Sequence, residues 1–146
     1  IGSQLETVIR SVHRPILLVP DEYSEPKSAM VAFDGSATAF KGIEMIAVSP
    51  VLRGMPLHLV MVGADTADRW EQLKKAEKML EGLGVEITVA IRAGDVEPTL
   101  HAYQEEHSID ILVMGAYGHS RIRQFLVGST TTTMLKTAHK PLVILR

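Results

Sequence analysis

The chain has 146 residues, enough for one domain with a full core, of which 46% are apolar and 22% charged, with a formal net charge of −2. That balance gives no basic footprint for nucleic acid, and the absence of cysteine excludes a disulfide framework and a thiolate metal site. No apolar run approaches the roughly 18 residues of a membrane span, and "IGSQLETVIRS" at the start has no signal-peptide pattern; the expectation is a cytoplasmic protein away from membranes.

In chain order, short β-branched or apolar runs alternate with longer amphipathic segments. "SAMVAF" (28–33) is predicted as a buried strand, ended by the turn "DGS". "ATAFKGIEMIAV" (37–48) follows as a helix with Phe40, Ile43 and Ile46 near one face. "PLHLVMV" (56–62) is the second strand. "ADTADRWEQLKKAEKMLEGLG" (64–84) is the clearest helix: Trp70, Leu73, Leu80 and Leu83 recur at helical spacing with Lys and Glu opposite, and Gly82 and Gly84 are stop signals. "VEITVAI" (85–91) is the third strand. "DVEPTLHAYQEEHS" (95–108) is a helix with Asp95 as N-cap and Pro98 tolerated in the first turn. "DILVMG" (110–115) and "PLVIL" (141–145) are the fourth and fifth strands, with a further helix over about 128–139 between them. Alternation with short connections implies parallel strands, and near-continuous apolar strands imply a sheet covered on both faces. The predicted fold is α/β: a doubly wound five-stranded parallel sheet sandwiched by helices.

Residues 1–29 do not fit that alternation as a complete unit, but a repeat accounts for them. "GSQLETVIRSVHRPILLV" (2–19) aligns with "GSTTTTMLKTAHKPLVIL" (128–145) at a constant offset of 126, with five of the 18 positions identical. On this reading 1–19 is the closing helix and strand of a truncated preceding domain, 20–27 is a polar linker, and 28–146 is one complete domain. The missing initiator Met fits a piece of a longer protein.

Chemistry concentrates in "GAYGHSRIRQFLVGST" (115–130), which runs strand, glycine turn, loop and helix. Glycine at 115 and 118 lets main chain approach a ligand. Gly128-Ser129-Thr130 opens a helix, where unpaired N–H groups and partial positive charge favour an anion. Backbone N–H groups and hydroxyls can hold a phosphate chain without lysine. Neither G-x-x-x-x-G-K-[ST] nor G-x-G-x-x-G is present, so P-loop chemistry and the dinucleotide fingerprint are not expected.

The spacing G-x2-G-x9-G-[ST], here Gly115, Gly118, Gly128 and Ser129, resembles the nucleotide-binding signature of the universal stress protein family. The resemblance covers 28–146, through "VAFDGS", "LVMVGA", the "AG" after the third strand, "DILVMGAYG" and "KPLVIL", and it makes 2–19 similar to the tail of a second such domain, as in tandem members. It implies an ATP-type ligand with Mg²⁺. By position it implies that Asp34 is the carboxylate near the ribose and phosphates, and that the backbone of Val62 meets the adenine edge. Gly94 would begin the loop bordering the nucleoside, and Met114 and Gly115 would form the ribose and phosphate wall. Gly118 and His119 would lie over the phosphates, gripped by Gly128, Ser129 and Thr130. Two departures from the family pattern are Asp95, where many members carry proline or a small polar residue, and Tyr117, which replaces a small residue or His.

Plainer readings stand beside these. Gly128-Ser129-Thr130 read alone is a helix N-cap, Asp34 read alone caps the turn, and His119, Arg121 and Arg123 read alone are solvated loop residues. The histidines show no metal-ligand spacing, and no nucleophile–base–orienter set is visible, so no catalytic residue is assigned. Asp34 with Mg²⁺ is the one candidate for phosphoryl chemistry, which favours binding over turnover. The expected function is an ATP-binding regulatory module of the stress response with at most slow hydrolysis. The alternative is a domain for dimerisation or interaction that binds no nucleotide. Self-association is expected through antiparallel pairing of 16–19 with 142–145, within or between chains, which covers exposed strand edges.

Overall fold

Ala29–Ala32 forms the strand about which the sheet is organised, with Met30 and Ala29 fully buried and both neighbours parallel to it. A computed structural model of the chain describes residues 16–19, 25–50, 52–115 and 140–145. Within them the elements are β1 (Ile16–Leu18), β2 (Ala29–Ala32), α1 (Ala37–Ala47), β3 (Leu57–Val62), α2 (Ala67–Met79), β4 (Ile87–Arg92), α3 (Val96–Glu106), β5 (Ile111–Gly115) and β6 (Leu142–Leu145). The helix expected over 128–139, and the closing helix expected within 1–19 ahead of β1, lie outside the described residues.

The six strands lie in the order β1-β6-β5-β2-β3-β4. The five from β2 to β6 are parallel, as predicted, and β1 adds an antiparallel edge. From β2 the chain winds outward through β3 and β4, then crosses back to β5 on the other side of β2. The pleat sorts the side chains of each strand between two layers. Val31 and Phe33 of the β2 segment, Leu57, Leu59 and Met61 of β3, and Ile111 and Val113 of β5 face a core completed by Ile43 and Ile46 of α1 and Leu73 and Ala76 of α2. Met30, Val60, Leu112 and Met114 face the opposite core with Leu100 and Tyr103 of α3. Helices on both faces explain why the strands are almost uniformly apolar. None of the helices described is long and apolar enough to cross a membrane.

Helix boundaries follow their caps. Ser36 caps α1, its Oγ accepting from Ala39 N at 3.1 Å. Thr66 caps α2, its Oγ1 accepting from Arg69 N at 3.3 Å, so this helix starts three residues later than the sequence pattern suggests. It ends at Met79 and tightens into a 3₁₀ turn, Glu81–Leu83, where the glycine stop signals fall. Asp95 takes the N-cap position of α3, yet its side chain makes no capping hydrogen bond. The start of β5 is tied down by Lys27 N donating to Asp110 Oδ2 at 2.7 Å and by Lys140 Nζ and Gln104 Nε2 donating to Ile109 O at 3.0 and 3.1 Å.

The β1–β6 ladder pairs Ile16 with Ile144, Leu17 with Val143 and Leu18 with Leu142. The expected antiparallel pairing is therefore made inside one chain. The repeat offset of 126 makes Leu17 and Val143 equivalent, and it exchanges the other two pairs. The ladder maps onto itself when the two copies are swapped, which is the pattern of a two-fold, isologous contact.

Beneath α3, Tyr103 organises a polar cluster that the sequence reading does not foresee. Its hydroxyl lies 2.7 Å from His58 Nδ1, the His107 ring stacks on it at 4.1 Å, and the Arg92 guanidinium lies 5.2 Å from its ring centre. Burial first, and then the nearby His107, lower the proton affinity of His58, while Glu86 opposes them. Burial raises the Tyr103 phenol pKa, with Arg92 opposing and Glu106 reinforcing.

Two consequences are testable. Leu73 is fully buried, so Leu73→Ala should destabilise the fold by about 3 kcal/mol in denaturant unfolding, with a cavity left between α2 and the sheet. His58 resists protonation in the folded state, so the unfolded chain takes up a proton first as pH falls below about 6.5. Stability conferred by neutral His58 is present above that value and lost below it. His58→Gln should therefore lose less stability than the unsubstituted protein between about pH 7.5 and 5.5.

Candidate functional site

The chain goes on from β2 to β3 on one side and from β5 to β6 on the other, so the strand order reverses between β2 and β5 and their carboxyl ends open onto a crevice. A cavity of about 180 Å³ lies there. Its floor is made by Ala32, Phe33 and Asp34 from the end of β2, by Val60, Met61 and Val62 from β3 and by Met114 from β5. Val96 and Leu100 of α3 supply one wall, and Arg69 of α2 reaches it from the other layer. Apolar side chains dominate, with Asp34 and Arg69 the charged groups.

Asp34 is held by the start of the helix that follows it. Its Oδ1 accepts from Ser36 N at 3.0 Å and from Ser36 Oγ at 2.6 Å. Ser36 Oγ in turn accepts from Ala39 N, so the carboxylate is fixed through the α1 cap. The turn requires Gly35, whose φ is +77° and where a Cβ would run into the Gln72 amide. Asp34 Oδ2 is buried and has no hydrogen-bond partner among the described residues. A desolvated carboxylate oxygen without a donor is costly, so a donor or cation supplied by a ligand would stabilise it.

Of the other residues singled out in the sequence, Val62 and Met114 line the same cavity as Asp34. Gly115 ends β5 beside them, paired in the sheet with Leu145. Gly94 is exposed in the turn between β4 and α3 and is not part of the cavity lining. Its φ is +127°, and a Cβ there would approach Thr99 Oγ1 to 2.7 Å, so local geometry alone accounts for glycine. Gly118, His119, Gly128, Ser129 and Thr130, with Tyr117, lie outside the described residues. Among the described residues no group of three or more His, Asp or Glu side chains is arranged to hold a metal ion.

Arg69 is the functional candidate that sequence reasoning misses. On a helix whose pattern begins at 64, it reads as one more solvated charge. The Thr66 cap puts it in the first turn instead, where its Nη1 donates to Ala64 O at 2.9 Å beside the end of β3. The available signal was the Thr66 cap immediately ahead of "ADRW".

The model of the universal stress protein family matches residues 61–146, more than half of the chain. The universal stress protein Slr1230 of Synechocystis is 38% identical over 148 residues, an alignment that takes in all of this chain and 52% of that protein. The chain thus spans about half the length of the curated relatives it matches. Among solved structures, a universal stress protein from Archaeoglobus fulgidus superposes with a TM-score of 0.74 at 23% identity, over 97% of this chain and 52% of that one. A universal stress protein in complex with cAMP superposes with a TM-score of 0.66 at 20% identity, over 84% and 98% of the respective chains. The α/β fold, with its five parallel strands and helices on both faces, is that of these proteins, and the chain belongs to the universal stress protein family.

Proposed function

We propose that this chain binds an adenine nucleotide in the crevice between β2 and β5 and acts as a nucleotide-dependent regulatory module of the stress response in the cytoplasm. The observation that carries the reading is Asp34: a carboxylate fixed on one oxygen by Ser36 and left without a partner on the other, at the floor of an apolar cavity. A ribose hydroxyl is a natural donor to Oδ2, and the apolar walls suit a base. The structural neighbour solved with cAMP supports an adenine nucleotide as the ligand class. The cavity, at about 180 Å³, is below the roughly 300–1,000 Å³ of drug-sized ligand sites, so the described walls enclose part of a nucleotide. The phosphates belong on this reading to Gly115 and Gly118 and to the helix start at Gly128, Ser129 and Thr130, with His119 above them and Gly94 bordering the nucleoside.

ATP with Mg²⁺ is the specific ligand proposed. Asp34 Oδ2 is the hard oxygen donor available to the cation, whose other positions would be filled by phosphates and water. Mg²⁺ would neutralise phosphate charge and hold the chain in place. At most slow hydrolysis is proposed for this site.

The self-matching β1–β6 ladder favours a second role beside the first. Residues 1–19 are read as the tail of a preceding domain of the same kind, joined through 20–27 to the domain 28–146. On this reading the edge that carries the exposed Leu17 and Val19 is the surface for assembly, in tandem or in a dimer.

Thermal unfolding with millimolar MgATP tests the ligand. A ligand at a hundredfold excess over Kd stabilises the native state by about 2.7 kcal/mol, which corresponds to a rise in Tm on the order of 5–10 °C. Asp34→Ala should diminish that rise and Gly128→Val should abolish it. A Tm indifferent to MgATP in all three proteins would refute nucleotide binding and leave the interaction role.

A further inference from the structure

Arg69 stands where simple helix electrostatics would not put it. It occupies the first turn of α2, the positive end of the helix dipole, where a cation is disfavoured. It has no carboxylate partner among the described residues, and the nearby Asp65 carboxylate accepts instead from Trp70 Nε1 at 2.6 Å. One of its five N–H groups donates to Ala64 O. Its guanidinium lies over Gly63: a Cβ built there would meet Cζ and Nε at 3.2 Å and Nη2 at 3.3 Å. Three atoms of the planar group at nearly one distance mean that it lies face-on against the backbone. Any larger residue at 63 would push it away. This places a flat, weakly hydrated cation beside Val62, at the end of β3, as part of the wall of an apolar cavity.

We propose that Arg69 is a ligand-contacting residue that lays its guanidinium against the purine ring at the Val62 end of the crevice. The inference rests on the nucleotide reading of the site and adds to it a residue from the opposite layer of the sandwich. Guanidinium planes stack on the π-face of a base and gain a cation–π attraction in doing so. The Ala64 carbonyl and Gly63 hold the group in position before a ligand arrives, so little side-chain freedom is lost on binding. A base contact of this kind acts on every adenine ligand regardless of its phosphate count. A phosphate contact would act on ATP and not on adenosine.

Calorimetric titration of adenosine and of MgATP into the unsubstituted protein, Arg69→Gln and Arg69→Lys separates these cases. The expected result is a loss of roughly tenfold in affinity for both ligands in both variants, since lysine keeps the charge and lacks the plane. The ligand-free Tm should stay close to that of the unsubstituted protein, because Arg69 is only half buried. Unchanged affinities in both variants would overturn the role of Arg69 and leave nucleotide binding intact. A loss confined to MgATP would overturn the base contact in favour of a phosphate contact. An unsubstituted protein that binds neither ligand would remove the site reading itself and this inference with it.

Discussion

The parallel pairing of β2 with β5 is the constraint on which the rest depends. The two strands are neighbours in space and far apart in sequence, Ala29 lying opposite Ile111 and Val31 opposite Val113. The strand order reverses between them, β3 following on one side and β6 on the other, which opens a crevice at their carboxyl ends. An aspartate that ends β2 is thereby delivered to the floor of a crevice, half satisfied by the helix cap it shares and half open to whatever enters. The pleat divides the side chains of each strand between two cores, one against α1 and α2 and one against α3. Scaffold and site are two results of one topology.

Much of this was legible in the residues. Apolar runs bounded by "DGS", "PL" and "GLGVE" place the strands to within a residue or two, because a sheet buried on both faces tolerates little else. The cavity positions of Asp34, Val62 and Met114 follow from their being at or just beyond strand ends. What is not legible has tertiary causes. Arg69 looks like any exposed charge on an amphipathic helix until the β3–α2 turn carries it over the strand end. Tyr103 and His107 stack locally at i, i+4, and only the packing of α3 on β3 brings His58 to them. Asp95 has the type and position of an N-cap and forms no cap bond, since residue type records a preference and not a geometry.

The β1–β6 ladder links the sequence repeat to the architecture. A strand equivalent to β6 pairs antiparallel with β6 itself, centred on equivalent residues. Two copies of one domain meeting edge to edge would generate this register without further design, since a two-fold contact needs only a self-complementary edge. The ladder also covers the edge of β6, whose exposed backbone would otherwise invite unplanned pairing. Through β6 the ladder lies next to β5, the strand on one side of the crevice.

The central claim is that the crevice between β2 and β5 is a nucleotide site. Native mass spectrometry of the protein, purified without added nucleotide and again after incubation with millimolar MgATP, tests it most directly. The account predicts a species heavier than the bare chain by the mass of one adenine nucleotide per complete domain, lost in Gly128→Val. A spectrum containing only the bare chain under both conditions would contradict it.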